Sequence, residues 1–122
     1  MDLETLIRLQ REFDSKHNWN PPSDDNLAVF RAIQSDLIGI FGEIGEFANI
    51  IKKISLEVGH DKNSDLEAIL KDRKHDLAEE LVDGFIYLVR LASHLNIDVE
   101  KSYIEKLALN EQRFKRYEDP RP

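Results

Sequence analysis

Two long stretches, roughly residues 25–56 and 66–95, repeat apolar side chains at helical spacing with little to break them. In the first, Ile40, Ile44, Phe47, Ile51 and Ile54 fall on one arc at about 100° per residue. In the second, Leu77, Leu81, Phe85, Leu88, Ala92 and Leu95 make a matching stripe. No strand-like alternation of useful length, no repeat and no low-complexity segment competes with them. The expected fold is all-α, a bundle of four to five helices in one domain over residues 1–117, with a loose tail at 118–122. Each long helix carries more apolar surface than a small monomeric bundle covers, so the core is expected to be completed by homo-oligomerisation.

The flanking punctuation sets the other boundaries. Leu3, Leu6, Ile7, Leu9 and Phe13 predict a first helix over about 2–16, closed by "HNWNPPSD" with its Pro21-Pro22 pair. Ser23 or Asp24 is expected to cap the second helix and Gly59 to stop it. After the polar "GHDKNSD", Ser64 and Glu67 read as a capping box for the third helix, which "KDRKHD" is expected to bend or interrupt. Asp98 is placed as the cap of a last helix through "VEKSYIEKLALNEQRFKRY".

Composition narrows the chemistry. The 122 residues are 41% hydrophobic with only 5 Gly and 4 Pro, as in a helix-rich globular protein. A formal net charge of -7 makes the surface repel polyanions, which disfavours a nucleic-acid polymer as partner but leaves room for a few placed cations around one nucleotide. With no cysteine, disulfides, thiolate zinc sites and a Cys nucleophile are excluded, so any metal sits on oxygen or His. "MDLETLIRLQREF" lacks the apolar region of an export signal and no run approaches a membrane span, so the expected location is cytoplasmic.

Against this background the acids of the two apolar helices stand out. "GEIGEFANIIKK" places Glu43 and Glu46 three residues apart, and "EELVDGFIYLVRLA" repeats the spacing with Glu80 and Asp83. An i,i+3 pair stacks on one side of a helix, here at the border of each apolar stripe, so helices packed side by side converge four anions. Converging anions need protons, basic partners or a hard divalent cation, and Mg²⁺ is the natural candidate, with Mn²⁺ as a substitute. Charge at a stripe border is also ordinary in amphipathic helices. What distinguishes these pairs is their recurrence on both apolar helices beside Gly42, Gly45 and Gly84, residues that cost about 1 kcal/mol each inside a helix unless something approaches closely.

Other candidates are less distinctive. Lys106, Asn110 and Arg113 form one polar stripe on the last helix, suited to a polyphosphate or simply solvated. Lys52 and Lys53 read as phosphate partners or as complements to a helix C-terminus. Trp19, the one tryptophan, is a cap on the core or a stacking platform for a base. His75 and His94 read as solvent-facing or packed. "DKNSDLE" opens like a calcium loop, but Leu66 stands where Gly is required, and the Glu-x-x-His pairs of a di-iron bundle are missing.

Glu43-x-x-Glu46, Glu80-x-x-Asp83 and "KLALNEQRF", in that order over nearly the whole chain, resemble the all-α NTP pyrophosphatase superfamily, the MazG-like nucleotide pyrophosphohydrolases. "REFDSKHNW" and the closing Asn-x-x-Arg-Phe look closest to its small dCTP pyrophosphatase branch. The resemblance implies Mg²⁺-dependent hydrolysis of a nucleoside triphosphate to monophosphate and pyrophosphate, in nucleotide-pool house-cleaning, by a homodimer or dimer of dimers. It also implies that Glu43, Glu46, Glu80 and Asp83 hold metal, with Glu43 or Glu46 as general base. Lys106, Asn110 and Arg113 would then face the phosphates, and Trp19 and Tyr87 the base. The link between the acidic motifs is longer than in compact members, with "GHDKNSD" reading as an insertion, and Glu79 adds a fifth acid. Two other readings keep the fold: a nucleotide-binding or assembly module without turnover, and a hydrolase of another phosphorylated metabolite. Neither base nor sugar is legible.

Overall fold

The computed structural model describes residues 1–118, so the tail expected to be loose lies outside the described residues from 119 onward. Four α-helices follow one another: α1 (Leu3–Lys16), α2 (Asn26–His60), α3 (Leu66–His94) and α4 (Val99–Arg113), with a 3₁₀ turn at Lys115–Tyr117. The described residues contain no strand. Each α-helix opens on an aspartate whose side chain accepts a hydrogen bond from the backbone N–H three residues on: Asp2, Asp25, Asp65 and Asp98. The expected caps at Ser23 or Asp24 and at Ser64 are thus displaced to Asp25 and Asp65. Ser64 instead donates its hydroxyl to the Asp61 carbonyl at 2.7 Å, inside a tight turn in which Asp61 Oδ1 accepts from Asn63 N–H.

That turn corrects two further expectations. Gly59 does not stop α2, which runs through it to His60, so the first two residues of the supposed insertion extend the helix and the other five form the turn to α3. Lys52 and Lys53 therefore sit about two turns before the helix end, too far to complement its dipole. The bend expected in "KDRKHD" is also absent, for α3 is continuous at 29 residues. At about 1.5 Å per residue the two helices form a hairpin roughly 45–50 Å long.

The hairpin is the frame of the molecule. Asp36 meets His94, Gly39 meets Tyr87, and Glu43 meets Gly84 and Glu80, an antiparallel register with the expected seam. Helix α1 packs on α3, whereas α4 does not lie along any of the other three helices. Both α1 and α3 end in the same motif, an asparagine in the left-handed region (Asn18 at φ 58° and Asn96 at φ 54°) followed by an N–H that reaches back five residues. In the first, the Trp19 N–H donates to the Asp14 carbonyl at 2.9 Å, which fixes where the tryptophan leaves the helix.

The core of the single chain is thin. Ile40, Ile54, Val89 and Ala92 are its buried apolar side chains among the described residues, while Ile44, Leu81, Phe85 and Leu88 from the predicted stripes are exposed.

Candidate active site

Midway along the hairpin, carboxylate oxygens of Glu43, Glu46 and Glu80 lie within 4.8 Å of one another. Register explains the meeting: the i,i+3 pair on α2 presents two acids to the turn of α3 that carries Glu80, and Gly84 leaves the Glu43 Cβ 3.9 Å from where its own would stand. Glu43 Oε2 and Glu80 Oε2 are shielded from solvent with no hydrogen-bond partner, whereas Glu46 is exposed. With no protein donor in reach, repulsion is relieved by a proton or by a cation. Contact with Glu43 first, then with Glu46, together with desolvation and the charge of both neighbours, pushes the Glu80 carboxyl up to about 7.

The donor set is what a hard divalent cation takes: oxygen only, anionic, with two shielded atoms aimed at nothing in the protein. The sign of the linkage gives a test. Glu80 holds a proton more tightly folded than unfolded, so in chelator its contribution to stability is complete below about 4.5 and is lost as pH rises toward about 7. In chelator, Glu80→Gln is therefore expected to gain Tm relative to the wild type between pH 5 and pH 8. Added Mg²⁺ at pH 8 should raise the wild type more than the variant, by mass action on the folded state. A thermal-shift series at both pH values reads both effects, and a variant that tracks the wild type throughout would dissolve the cluster.

Asp83, the fourth acid expected here, is exposed and lies outside the three-carboxylate cluster, beside His75, Glu79 and Val82. His75 is solvent-facing and pairs with Glu79 at 3.2 Å. Lys106, Asn110 and Arg113 share α4, which the single chain does not bring against the carboxylates; Arg113 lies over the Phe114 ring instead, at 5.2 Å. Tyr87 packs on Gly39, where an added Cβ would stand 2.5 Å from its ring. This is the glycine of the seam with a close neighbour, while Gly42 and Gly45 face open space.

Two polar contacts of the hairpin were not anticipated. Arg90 donates from Nε and Nη2 to both oxygens of Asp14, at 3.0 and 2.8 Å, and the Asp14 side chain is only 3% exposed. His94 Nε2 meets Asp36 Oδ2 at 2.8 Å, packed rather than solvent-facing. A charge on each of two apolar faces, Asp14 following Ile7 and Gln10 on α1 and Arg90 inside "FIYLVRLA", was the available signal.

Comparison with known proteins bears on what such an acidic seam is for. No protein-family model matches the chain. Over 113 residues, 92% of the chain, it is 31% identical to dCTP pyrophosphatase 1 of Rattus norvegicus and of Mus musculus, and 30% identical to that of Homo sapiens. The chain belongs to the MazG-like, all-α NTP pyrophosphatase family. This MazG-like chain spans 58% of the length of those relatives. Among its described residues, no helix is long and apolar enough to cross a membrane.

Proposed function

We propose that the chain is a Mg²⁺-dependent nucleoside triphosphate pyrophosphohydrolase, converting an NTP or dNTP and water to the monophosphate and pyrophosphate. The observation that carries this reading is the trio Glu43, Glu46 and Glu80, two of whose oxygens are shielded and unpartnered, in a relative of dCTP pyrophosphatases. Glu43 and Glu80 hold the cation from the buried side of the seam. Glu46, the solvent-exposed member, accepts the proton of the attacking water. Asp83, one turn beyond Glu80 and exposed, would join the ligand set by turning toward the seam. Bound there, Mg²⁺, or Mn²⁺ in its place, offsets the charge of the triphosphate and acidifies water.

Lys106, Asn110 and Arg113 are assigned to the phosphates, and Trp19 with Tyr87 to the base. Placing α4 over the carboxylates requires a second copy of the chain. The exposed area supports one: 10144 Å² for 14.2 kDa, against about 6,800 Å² for a compact monomer of this mass. An open apolar cleft of about 450 Å³ beside the acids, lined by Ile44, Phe47, Leu81, Phe85 and Leu88, is where that copy docks. A homodimer or dimer of dimers is the expected state. Sedimentation or light scattering should return a multiple of 14.2 kDa at micromolar concentration, and a monomer would remove α4 from the site.

The deciding experiment for the activity is pyrophosphate release from a panel of ribo- and deoxynucleoside triphosphates, with Mg²⁺ and with chelator. Metal-dependent release establishes the class. Nucleotide binding without turnover would instead leave the protein as a non-catalytic module of the same fold.

A further inference from the structure

We propose that Arg90, held in place by Asp14, reads the nucleobase and selects bases that present a carbonyl oxygen over adenine. The inference rests on the proposed hydrolase reading, in which the base lies by Trp19 and Tyr87.

The placement comes from α3 itself. Tyr87 and Arg90 stand seven and ten residues beyond Glu80, about 10 and 15 Å along the helix, on the side where α1 packs. A nucleotide whose phosphates lie at the carboxylates extends its base in that direction or away from the protein. On this side the guanidinium carbon lies 5.6 Å from the Trp19 ring centroid and 5.4 Å from that of Tyr87. Trp19 is 57% exposed, so much of the indole is accessible to a ligand. It is also held: stacked on His17 at 4.8 Å, edge-on to Phe13 at 5.7 Å, and pinned by its own N–H to Asp14.

The chemistry follows from what the pair has already spent. Asp14 accepts from Arg90 twice and from Gln10 Nε2 at 2.9 Å, so this buried carboxylate is occupied within the protein and is not the group that meets a ligand. Arg90 has five N–H donors in a rigid plane, of which Asp14 takes two. Nη1, turned away from Asp14, makes no hydrogen bond to the described residues, and the side chain keeps 18% exposure. Because Asp14 neutralises the charge, the exposed end acts less as a trap for phosphate than as a fixed pair of directional donors beside an aromatic wall.

A donor-only group discriminates between bases. Cytosine, uracil, thymine and guanine each offer a carbonyl oxygen, in cytosine and guanine with a ring nitrogen acceptor beside it. A carbonyl oxygen has two lone pairs and can accept both donors of the fork at once. Adenine has no carbonyl, each of its ring acceptors has a single lone pair, and at its hydrogen-bonding edges an amino group stands beside that acceptor and meets the second donor. Asp14 is a positioning residue here: it keeps the fork in one plane and touches no substrate.

The test is kcat/KM for CTP, UTP, GTP and ATP and their deoxy forms, in wild type and in Asp14→Ala/Arg90→Met. That double variant removes both charges together and replaces the arginine stem with an apolar one. Arg90→Lys is measured alongside; it retains an ion pair but loses the planar fork. Wild type should disfavour adenine nucleotides by roughly tenfold to a hundredfold, the range expected for a good two-point base contact. In both variants the gap should close to about threefold, through a rise in KM for the carbonyl-bearing bases more than a fall in kcat. Hydrolysis in which adenine is never disfavoured, or a ranking that survives in the variants, overturns the inference and leaves the hydrolase reading intact. If wild type neither hydrolyses any of the eight nor binds them calorimetrically with Mg²⁺, the hydrolase reading fails and the inference with it.

Discussion

Glu46→Gln is expected to lower Mg²⁺-dependent pyrophosphate release by about a thousandfold or more, with the helical circular-dichroism spectrum unchanged. General-base catalysis alone contributes roughly a hundredfold to ten-thousandfold, and the same carboxylate stands in the proposed metal site. The loss is separable from damage to the fold because Glu46 is exposed and lies outside the buried core. Removing one of three mutually repelling acids should leave Tm in chelator the same or higher, the opposite of what a structural residue would give. Asp83→Asn should show a similar loss if that side chain turns into the seam as proposed. Activity within tenfold of wild type in both variants would remove the carboxylates from the reaction.

How much of this was readable in advance depended on the range of the interaction involved. Helical periodicity is local, so α1 to α4 came within a few residues of their observed bounds, and the i,i+3 spacing of Glu43 and Glu46 led directly to the cluster with Glu80. The caps were displaced because three polar residues in a row, such as Ser23, Asp24 and Asp25, offer equivalent side chains, and packing of the loop chooses among them. Gly59 misled because its cost of about 1 kcal/mol is small beside a helix already propagating. Asp83 and α4 were the harder cases. Asp83 was expected near the acids from its stripe and α4 from the resemblance, yet a stripe records which residues share a face and says nothing of which neighbour covers it. In one copy of this chain, nothing brings α4 there. Asp14 and Arg90 went unread for a related reason: each alone looks like a charge misplaced on an apolar face, and only their contact across 76 residues explains either.

That contact sets the largest expected effect on stability. Arg90→Ala should cost about 3–5 kcal/mol, the range for removing one partner of a buried ion pair, because it strands a carboxylate that is almost wholly out of solvent. Asp14 keeps the Gln10 amide but loses both charge-assisted hydrogen bonds, and desolvation of the remaining anion is no longer offset. The guanidinium gives the same indication from its side, since the hydrogen bonds to Asp14 raise its pKa above the usual arginine value. Loss of the stem between Trp19 and Tyr87 adds to the cost and loosens the loop that carries the tryptophan. Asp14→Ala/Arg90→Met should recover most of the stability, because removing both charges abolishes the stranded anion and the thioether refills the space. Urea titrations of wild type, single and double variants close the cycle, provided all are compared at one protein concentration. A double variant as unstable as Arg90→Ala would mean that the pair holds α1 onto α3 by its own attraction; recovery would mean that the fold does not depend on that attraction, which leaves the guanidinium free to be tested as a ligand contact by the kcat/KM series.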